Sequence, residues 1–223
     1  MKELKIAASV MCASFVELRR DLDALRSGGA DYLHLDVMDG HYVPNFTLGP
    51  DFCAALSAYS PLPLDIHLMI ENVDAFIPQF ARFPNATVTI HPEVCYHPIR
   101  SLELIRSFGA RAGISVDPAL PLEAIRHLIP EVDLICVMTV NPGYAGQKLV
   151  PQTMAKITEA AAMAREAGRE IEIEVDGNVS WENIPRMVAA GARTLVAGSS
   201  SLFEKGGDLV RNLARMRALI QDR

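Results

Sequence analysis

Residues 15–38 decide how the chain is built. They read Phe15-Val16-Glu17-Leu18-Arg19-Arg20-Asp21-Leu22-Asp23-Ala24-Leu25-Arg26-Ser27, then Gly28-Gly29-Ala30-Asp31, then Tyr32-Leu33-His34-Leu35-Asp36-Val37-Met38. The first part is amphipathic with a helical period, its leucines separated by charged residues. The glycines that follow are the expected left-handed stop of a helix. The last part is aliphatic at every second position, as in a strand whose two faces meet different surroundings.

The same junction recurs. Phe108-Gly109-Ala110 precedes a strand candidate at 111–116, and Ala190-Gly191-Ala192 precedes one at 194–198. Further strand candidates are 6–11, 32–38, 64–69, 87–91, 134–139 and 171–176. Helical patterns lie between them at 15–27, 98–108, 122–128, 151–167, 181–190 and 209–220. Eight strands, each followed by a helix or a helix-length segment, predict βαβ units and a parallel sheet. Eight is also the number that closes into a (β/α)8 TIM barrel of the α/β class. The competing fold is an open doubly wound sheet, which usually has a glycine-rich turn after its first strand. Here that turn reads Ser9-Val10-Met11-Cys12, so the barrel is the better reading. A length of 223 residues suits one such barrel, and 1–223 reads as a single domain.

Composition narrows the function. Half of the residues are hydrophobic and 22% are charged, enough apolar material for a sizeable core. The net charge is -6, which speaks against nucleic acid, since a duplex needs a basic face. An anionic substrate would have to be held by local dipoles. Cys12, Cys53, Cys95 and Cys136 are widely spaced and form no metal or redox motif, so a reducing, cytoplasmic compartment is expected. The apolar stretch after Met1-Lys2-Glu3-Leu4-Lys5 is too short for a signal-peptide core, and no stretch is long enough to span a membrane.

Chemistry in a barrel sits where strands end. By alternation His34, Asp36 and Met38 share a face, as do Asp65, His67 and Met69, and as do Glu172, Glu174 and Asp176. A lone H-x-D in a strand is more often a hydrogen-bonded core pair than a ligand set. Here three strands repeat the theme at the same end, and burying so many ionisable groups unpaired would be costly. His34, Asp36, His67 and Asp176 together suit one borderline divalent ion, Zn2+, Mn2+, Fe2+ or Co2+. Met11, Met38, Met69 and Met138 also fall near strand ends. They read either as core filler or as a dry, polarisable wall around a charged intermediate. Glycine-rich loops follow the last three strands: Asn141-Pro142-Gly143-Tyr144-Ala145-Gly146-Gln147, Asp176-Gly177-Asn178 and Gly198-Ser199-Ser200. Each alone is an ordinary turn, but three on successive late strands suggest a cup of backbone donors for phosphate.

With these residues in hand, the chain resembles the ribulose-phosphate 3-epimerase family. The likeness is carried by H-L-D-V-M-D-G-H-Y-V-P-N from His34, P-L-D-I-H-L-M from Pro63, V-M-T-V-N-P-G-Y-A-G-Q from Val137 and E-V-D-G from Glu174. It extends over essentially the whole chain. The resemblance implies a barrel of the ribulose-phosphate-binding type that epimerises a small phosphorylated ketose at carbon 3. It implies that Asp36 and Asp176 are the acid/base pair, and that His34, Asp36, His67 and Asp176 hold the ion. It also implies that Ser9 and His67 touch substrate, with Gly143, Tyr144, Ala145, Gly146, Gly177, Asn178, Gly198 and Ser199 around the phosphate. A homo-oligomer, dimer or hexamer, is implied too.

Some positions depart from the commonest family pattern. Met11-Cys12-Ala13-Ser14 lacks a frequent Asp, Ala145 and Asn178 stand where glycine is usual, and Met11-Cys12 and His91-Pro92-Glu93 resemble the allulose-6-phosphate 3-epimerase branch. The sugar is therefore D-ribulose 5-phosphate or D-allulose 6-phosphate. A related decarboxylase would carry a Lys between two aspartates at a strand end, and a Schiff-base aldolase a buried strand-end Lys. Asp36-Val37-Met38-Asp39 has none, nor do the other strand ends. A non-catalytic phosphosugar-binding barrel would not need both aspartates and both histidines.

Overall fold

The computed structural model of the chain describes residues 4–221. Its parallel strands are β1 (Lys5–Ser9), β2 (Tyr32–Asp39), β4 (Leu64–Met69), β5 (Thr87–Ile90), β6 (Arg111–Val116), β7 (Leu134–Met138), β8 (Glu172–Asp176) and β9 (Thr194–Ala197). A two-residue strand, β3 (Phe46–Thr47), adds antiparallel to β2. The helices are α1 (Leu18–Ser27), α2 (Pro50–Tyr59), α3 (Ile77–Phe80), α4 (Pro98–Ser107), α5 (Thr153–Glu166), α6 (Ile184–Ala190) and α7 (Leu209–Gln221). Each strand pairs with the next around the ring, and β9 pairs back with β1, so the eight parallel strands close. This is the expected (β/α)8 barrel.

The glycines after α1, α4 and α6 do as their spacing predicts: Gly29, Gly109 and Gly191 all have positive φ. At Gly191 the space is closed as well, since a Cβ would sit 2.6 Å from the Cβ of Ala161 on α5.

Four local features differ from the sequence expectation. β1 stops at Ser9, where its pairing with β2 ends, and Val10–Cys12 turn away as a single 3-10 turn. Met11 is therefore on a loop rather than a strand end. Residues 122–128 were expected to be α-helical but belong to a 3-10 helix, Leu122–Glu131, which starts after Pro121 and contains Pro130. Proline has no N–H for an α-helical bond and clashes with the preceding turn. The short helices α2 and α3 stand where no amphipathic stripe announced them. α2 is apolar on several sides, with Cys53 and Leu56 buried and Phe52 and Ala54 half-buried.

Alternation along the strands sorts the interior into two parts. Leu33, Leu35 and Val37 of β2, Leu64, Ile66 and Leu68 of β4, and Ile135 and Val137 of β7 face outward. They join Leu25 of α1, Leu102 and Ile105 of α4 and Ile157 of α5 in one apolar layer between strands and helices. Each such side chain, fully buried, contributes about 1.5–3 kcal/mol, and truncating Leu33 to Ala would cost roughly 2–5 kcal/mol. The intervening residues point into the barrel, and many are polar. Strand register stacks them in levels, with His34 beside Asp65, Asp36 beside His67, and Met38 beside Met69 across β2 and β4. Across β7 and β8, Cys136 lies beside Glu174 and Met138 beside Asp176. The apolar layer holds the ring, and the ring aims the polar set at one end.

Candidate active site and metal centre

His34, Asp36, His67 and Asp176 converge at the C-terminal end of the barrel. His34 Nε2 is 3.3 Å from Asp36 Oδ1 and 3.9 Å from Asp176 Oδ2. His67 Nδ1 is 3.4 Å from Asp36 Oδ1 and 3.6 Å from Asp176 Oδ2. All four donor atoms lie within 4.8 Å of one another. An ion bound at about 2.0–2.2 Å places the corners of its tetrahedron roughly 3.3–3.6 Å apart. Three of the four edges have the dimensions of an N2O2 cation site, and the fourth, His34 to Asp176, is 3.9 Å. His67 Nδ1 is buried with no hydrogen-bond partner, as a ligand nitrogen facing an ion would be. The cluster can hold one metal ion.

The electrostatics agree. Burial opposes charge on His34, but Asp36 and Asp65 outweigh it and push its pKa well above the ordinary value. His67 is raised in the same way, burial being overcome by Asp176 and Asp36. Burial alone would raise Asp36, but the two imidazoles drive its carboxyl far below the usual carboxylate range, so it stays ionised. Two carboxylates thus create a negative potential that a cation, or protons on the imidazoles, must balance.

Beneath this level lies a support that alternation indicated only as shared facing. Asp65 Oδ2 accepts from His34 Nδ1 at 2.6 Å, which turns Nε2 toward the centre. Glu174 is wholly buried next to Asp65, and burial first, then the charge of Asp65, raises its pKa well above the ordinary range. His34, Asp65 and Glu174 also lie close enough to share an ion. His34 already commits Nδ1 to Asp65, so this group reads as a brace under the upper cluster.

Above the cluster opens a cleft lined by strand ends and by the loops that follow them. Asp36 and Asp176 reach its surface, whereas His34 and His67 are wholly buried below it. Ser9 lines the cleft and donates from Oγ to Asp36 Oδ2 at 3.1 Å. Met11, Met38, Met69 and Met138 all line the cleft; Met38 and Met69 pack with Val43, Met11 and Tyr42, whereas Met138 packs with Leu134 and Cys136. The three glycine-rich loops also reach it, with Gly143, Tyr144, Ala145, Gly146, Gly177, Asn178, Gly198 and Ser199 all lining the cleft. No Lys or Arg does so among the described residues.

These loops are held in shape by their own side chains. Gln147 Nε2 donates to the carbonyls of Asn141 (2.6 Å) and Tyr144 (2.9 Å), and Asn178 Nδ2 donates to that of Gln147 at 2.7 Å. Asn45 Nδ2, from the loop after β2, donates to Gly143 O at 2.9 Å. Gly177 has φ +110°, and a Cβ there would lie 2.6 Å from Val140 Cγ2, so only glycine fits. The two departures from the family pattern are harmless to the backbone. Asn178 sits at φ 44°, a left-handed conformation that Asn tolerates, and Ala145 is not among the residues of positive φ.

Two residues escaped the sequence reading. His91, just past β5, places Nε2 2.8 Å from His67 Nε2, and the hydroxyl of Tyr42 lies 2.9 Å from His91 Nδ1. The segment His91-Pro92-Glu93 drew notice only as a branch marker. Nothing in its spacing reveals that the ring meets His67 from the neighbouring strand.

Comparison with known proteins agrees with this arrangement. The Ribulose-phosphate 3 epimerase family profile matches residues 5–203. The chain is 43% identical to "Ribulose-phosphate 3-epimerase" of Bacillus subtilis (strain 168) over 198 residues, covering 88% of this chain and 91% of that protein. It is 41% identical to "Ribulose-phosphate 3-epimerase" of Rhodobacter capsulatus over 226 residues, covering 99% and 97% of the two chains. Among solved structures, a mutant tryptophan synthase α-subunit from Pyrococcus furiosus superposes with a TM-score of 0.66 at 15% identity, covering 99% of this chain and 98% of that one. That likeness speaks to the barrel alone. Profile, identity and coverage agree over nearly the full length, and the chain belongs to the ribulose-phosphate 3-epimerase family.

Proposed function

We propose that the protein is an isomerase interconverting D-ribulose 5-phosphate and D-xylulose 5-phosphate through an enediolate, with Asp36 and Asp176 as its two acid/base groups. The observation that carries this reading is the pair itself. Two carboxylates from β2 and β8, strands separated in the ring by β1 and β9, reach one cleft beside an arrangement suited to a cation. One carboxylate takes the C3 proton. The C–H electron pair becomes the C2–C3 double bond, and the carbonyl pair moves onto the C2 oxygen. The other group, in its protonated form, then delivers a proton to the opposite face of C3; the C2–C3 double-bond pair forms the new C–H bond and the C2 oxygen pair re-forms the carbonyl, inverting C3. Asp36 is ionised, as the proton-accepting partner must be, while its low pKa leaves the abstraction dependent on stabilisation of the enediolate.

His34, Asp36, His67 and Asp176 would hold one divalent ion, Zn2+, Mn2+, Fe2+ or Co2+, which when bound supplies Lewis-acid stabilisation of the enediolate oxygens. Ser9 keeps Asp36 oriented, and the methionines that line the cleft exclude water from the developing charge. Backbone donors of the loops after β7, β8 and β9 would bind the phosphate, with no basic side chain required. The names of the curated relatives favour the five-carbon sugar over allulose 6-phosphate. A reducing, cytoplasmic setting suits four cysteines that are all unpaired, and no helix among the described residues is long and apolar enough to cross a membrane. We also infer a homo-oligomer, because Phe15 and Val16, after β1, and Phe46, on β3, are largely exposed.

The test is kcat/KM for D-ribulose 5-phosphate against D-allulose 6-phosphate on metal-replete protein, with the first reaction repeated in D2O. The expected outcome is a preference for the pentose and deuterium at C3 of the product. Product lacking solvent deuterium would rule out proton exchange through the two carboxylates.

A further inference from the structure

His67 is tied outward through a short chain of contacts. Its Nε2 lies 2.8 Å from His91 Nε2, and the two rings stack with centroids 5.0 Å apart and planes 22° apart. On the far side of His91, Nδ1 lies 2.9 Å from the Tyr42 hydroxyl. The nearest alternative is Glu93 Oε2 at 3.8 Å, beyond hydrogen-bond reach. Both histidines are wholly buried, so bulk water does not compete for these contacts.

Two ring nitrogens 2.8 Å apart must share one proton, and the rest of the chain decides where it sits. His67 Nδ1 is the nitrogen aimed at Asp36 and Asp176, and it has no hydrogen-bond partner. To offer its lone pair there, a neutral His67 must carry its proton on Nε2. His91 Nε2 must then accept, which leaves the His91 proton on Nδ1, and the Tyr42 oxygen accepts that one. Every link runs in the same direction.

We infer that Tyr42 and His91 are positioning residues that fix the tautomer of His67, holding its Nδ1 lone pair toward the ion site through a one-way chain of hydrogen bonds. The inference rests on the ion site proposed above. It also joins that site to the loop after β2. Tyr42 packs against Met38 and Met69, and Asp39 fixes the turn by accepting from the backbone N–H of His41 (2.8 Å) and Tyr42 (3.1 Å).

The experiment uses Zn2+ as probe. Histidine 15N shifts of the Zn2+-loaded wild type report which ring nitrogen of His91 is protonated, and chelator competition gives the Zn2+ Kd of each variant. Thermal melting checks that each variant is folded. The expected result is a protonated Nδ1 and an unprotonated Nε2 on His91. His91→Phe should weaken Zn2+ binding about 10–100-fold, in the range of other outer partners of metal-bound histidines. His91→Gln, whose side-chain oxygen can still accept from His67, should bind at least about threefold more tightly than His91→Phe. Tyr42→Phe keeps the ring and loses only the acceptor, and should weaken binding by less than His91→Phe. A proton on His91 Nε2 in the loaded wild type overturns the inference, as does a folded His91→Phe with a wild-type Kd. Wild-type protein that takes up no Zn2+ would instead fail the ion site itself, and this inference with it.

Discussion

At the N-terminal end of the barrel, Glu172 meets Lys5 at 3.2 Å and Arg111 at 2.8 Å, and also accepts from the Thr194 hydroxyl. At the C-terminal end, Asp36 and Asp176 face imidazoles and one serine. β1, β2 and β8 contribute side chains to both ends. At the lower end the negative charge meets fixed cations, and Tyr32 completes the lysine's contacts at 2.6 Å. At the upper end charge balance depends on groups that gain or lose protons, beside a buried nitrogen left without a partner. The contrast separates structure from chemistry better than any count of ionisable groups. A cluster whose charges are matched by permanent partners holds the fold, and one left unmatched is arranged to receive something.

Mutation should divide along that line. The largest effect is expected at the upper end, where Asp176→Asn removes the proposed base yet keeps an oxygen able to ligate. Epimerisation should fall by about 10²–10⁴-fold or more, with the melting temperature little changed. A variant turning over at the wild-type rate would remove Asp176 from the proposed pair.

Next comes the ion. Purified protein should carry about one divalent ion per chain, and chelation should abolish turnover. Stripped protein should also respond to pH with a definite sign. His34 and His67 have folded pKa values raised above the unfolded value of about 6.5, so their stabilising contribution is complete below that pH. It is lost as pH rises through the folded values. Stripped protein should therefore melt at lower temperature as pH rises from about 6.5. Loaded protein should not, because ion binding takes the unprotonated imidazoles and strengthens with pH. Melting curves of both forms across pH check this, and a gap that stays constant or narrows contradicts it.

At the lower end, Glu172→Gln leaves Lys5 and Arg111 without their counter-charge. Both are about one-third exposed, so the cost should be modest, about 1–2 kcal/mol by denaturant titration. Turnover should stay within about twofold, since this acid lies away from the cleft. The smallest effect is expected for Lys148→Ala, because Lys148 is the nearest basic residue in the phosphate loops yet does not line the cleft. Its kcat/KM should fall less than about tenfold. A loss above about 100-fold, worth roughly 2.7 kcal/mol, would expose an overlooked ion pair to phosphate.

The sequence made some of this legible and hid the rest for identifiable reasons. The bounds of β4 and β6 were readable because each is a run of strand residues between turn signals. The convergence of His34, Asp36, His67 and Asp176 followed from two-residue alternation once the strands were placed. Alternation says which way a side chain points but not what it meets, so the Asp65 brace under His34 was visible only as a shared face. Tyr42 and His91 were out of reach altogether, because their contact joins a loop after β2 to the end of β5. The 3-10 helix at Leu122–Glu131 was misread because its apolar spacing resembles an α-helix and the prolines that forbid one lie at its borders.

The closure of the ring has a consequence for how the molecule is made. A ribosome delivers β1 first, but its second neighbour, β9, is delivered almost last. Three of the four side chains proposed to hold the ion emerge early on β2 and β4, while Asp176 waits on β8. A nascent chain halted before residue 172 would thus display both imidazoles and one carboxylate around a gap. Such a fragment could scavenge an ion loosely, but it could not enclose it. Correct ion loading is therefore expected only once synthesis is nearly complete, when the last strands seal the cylinder.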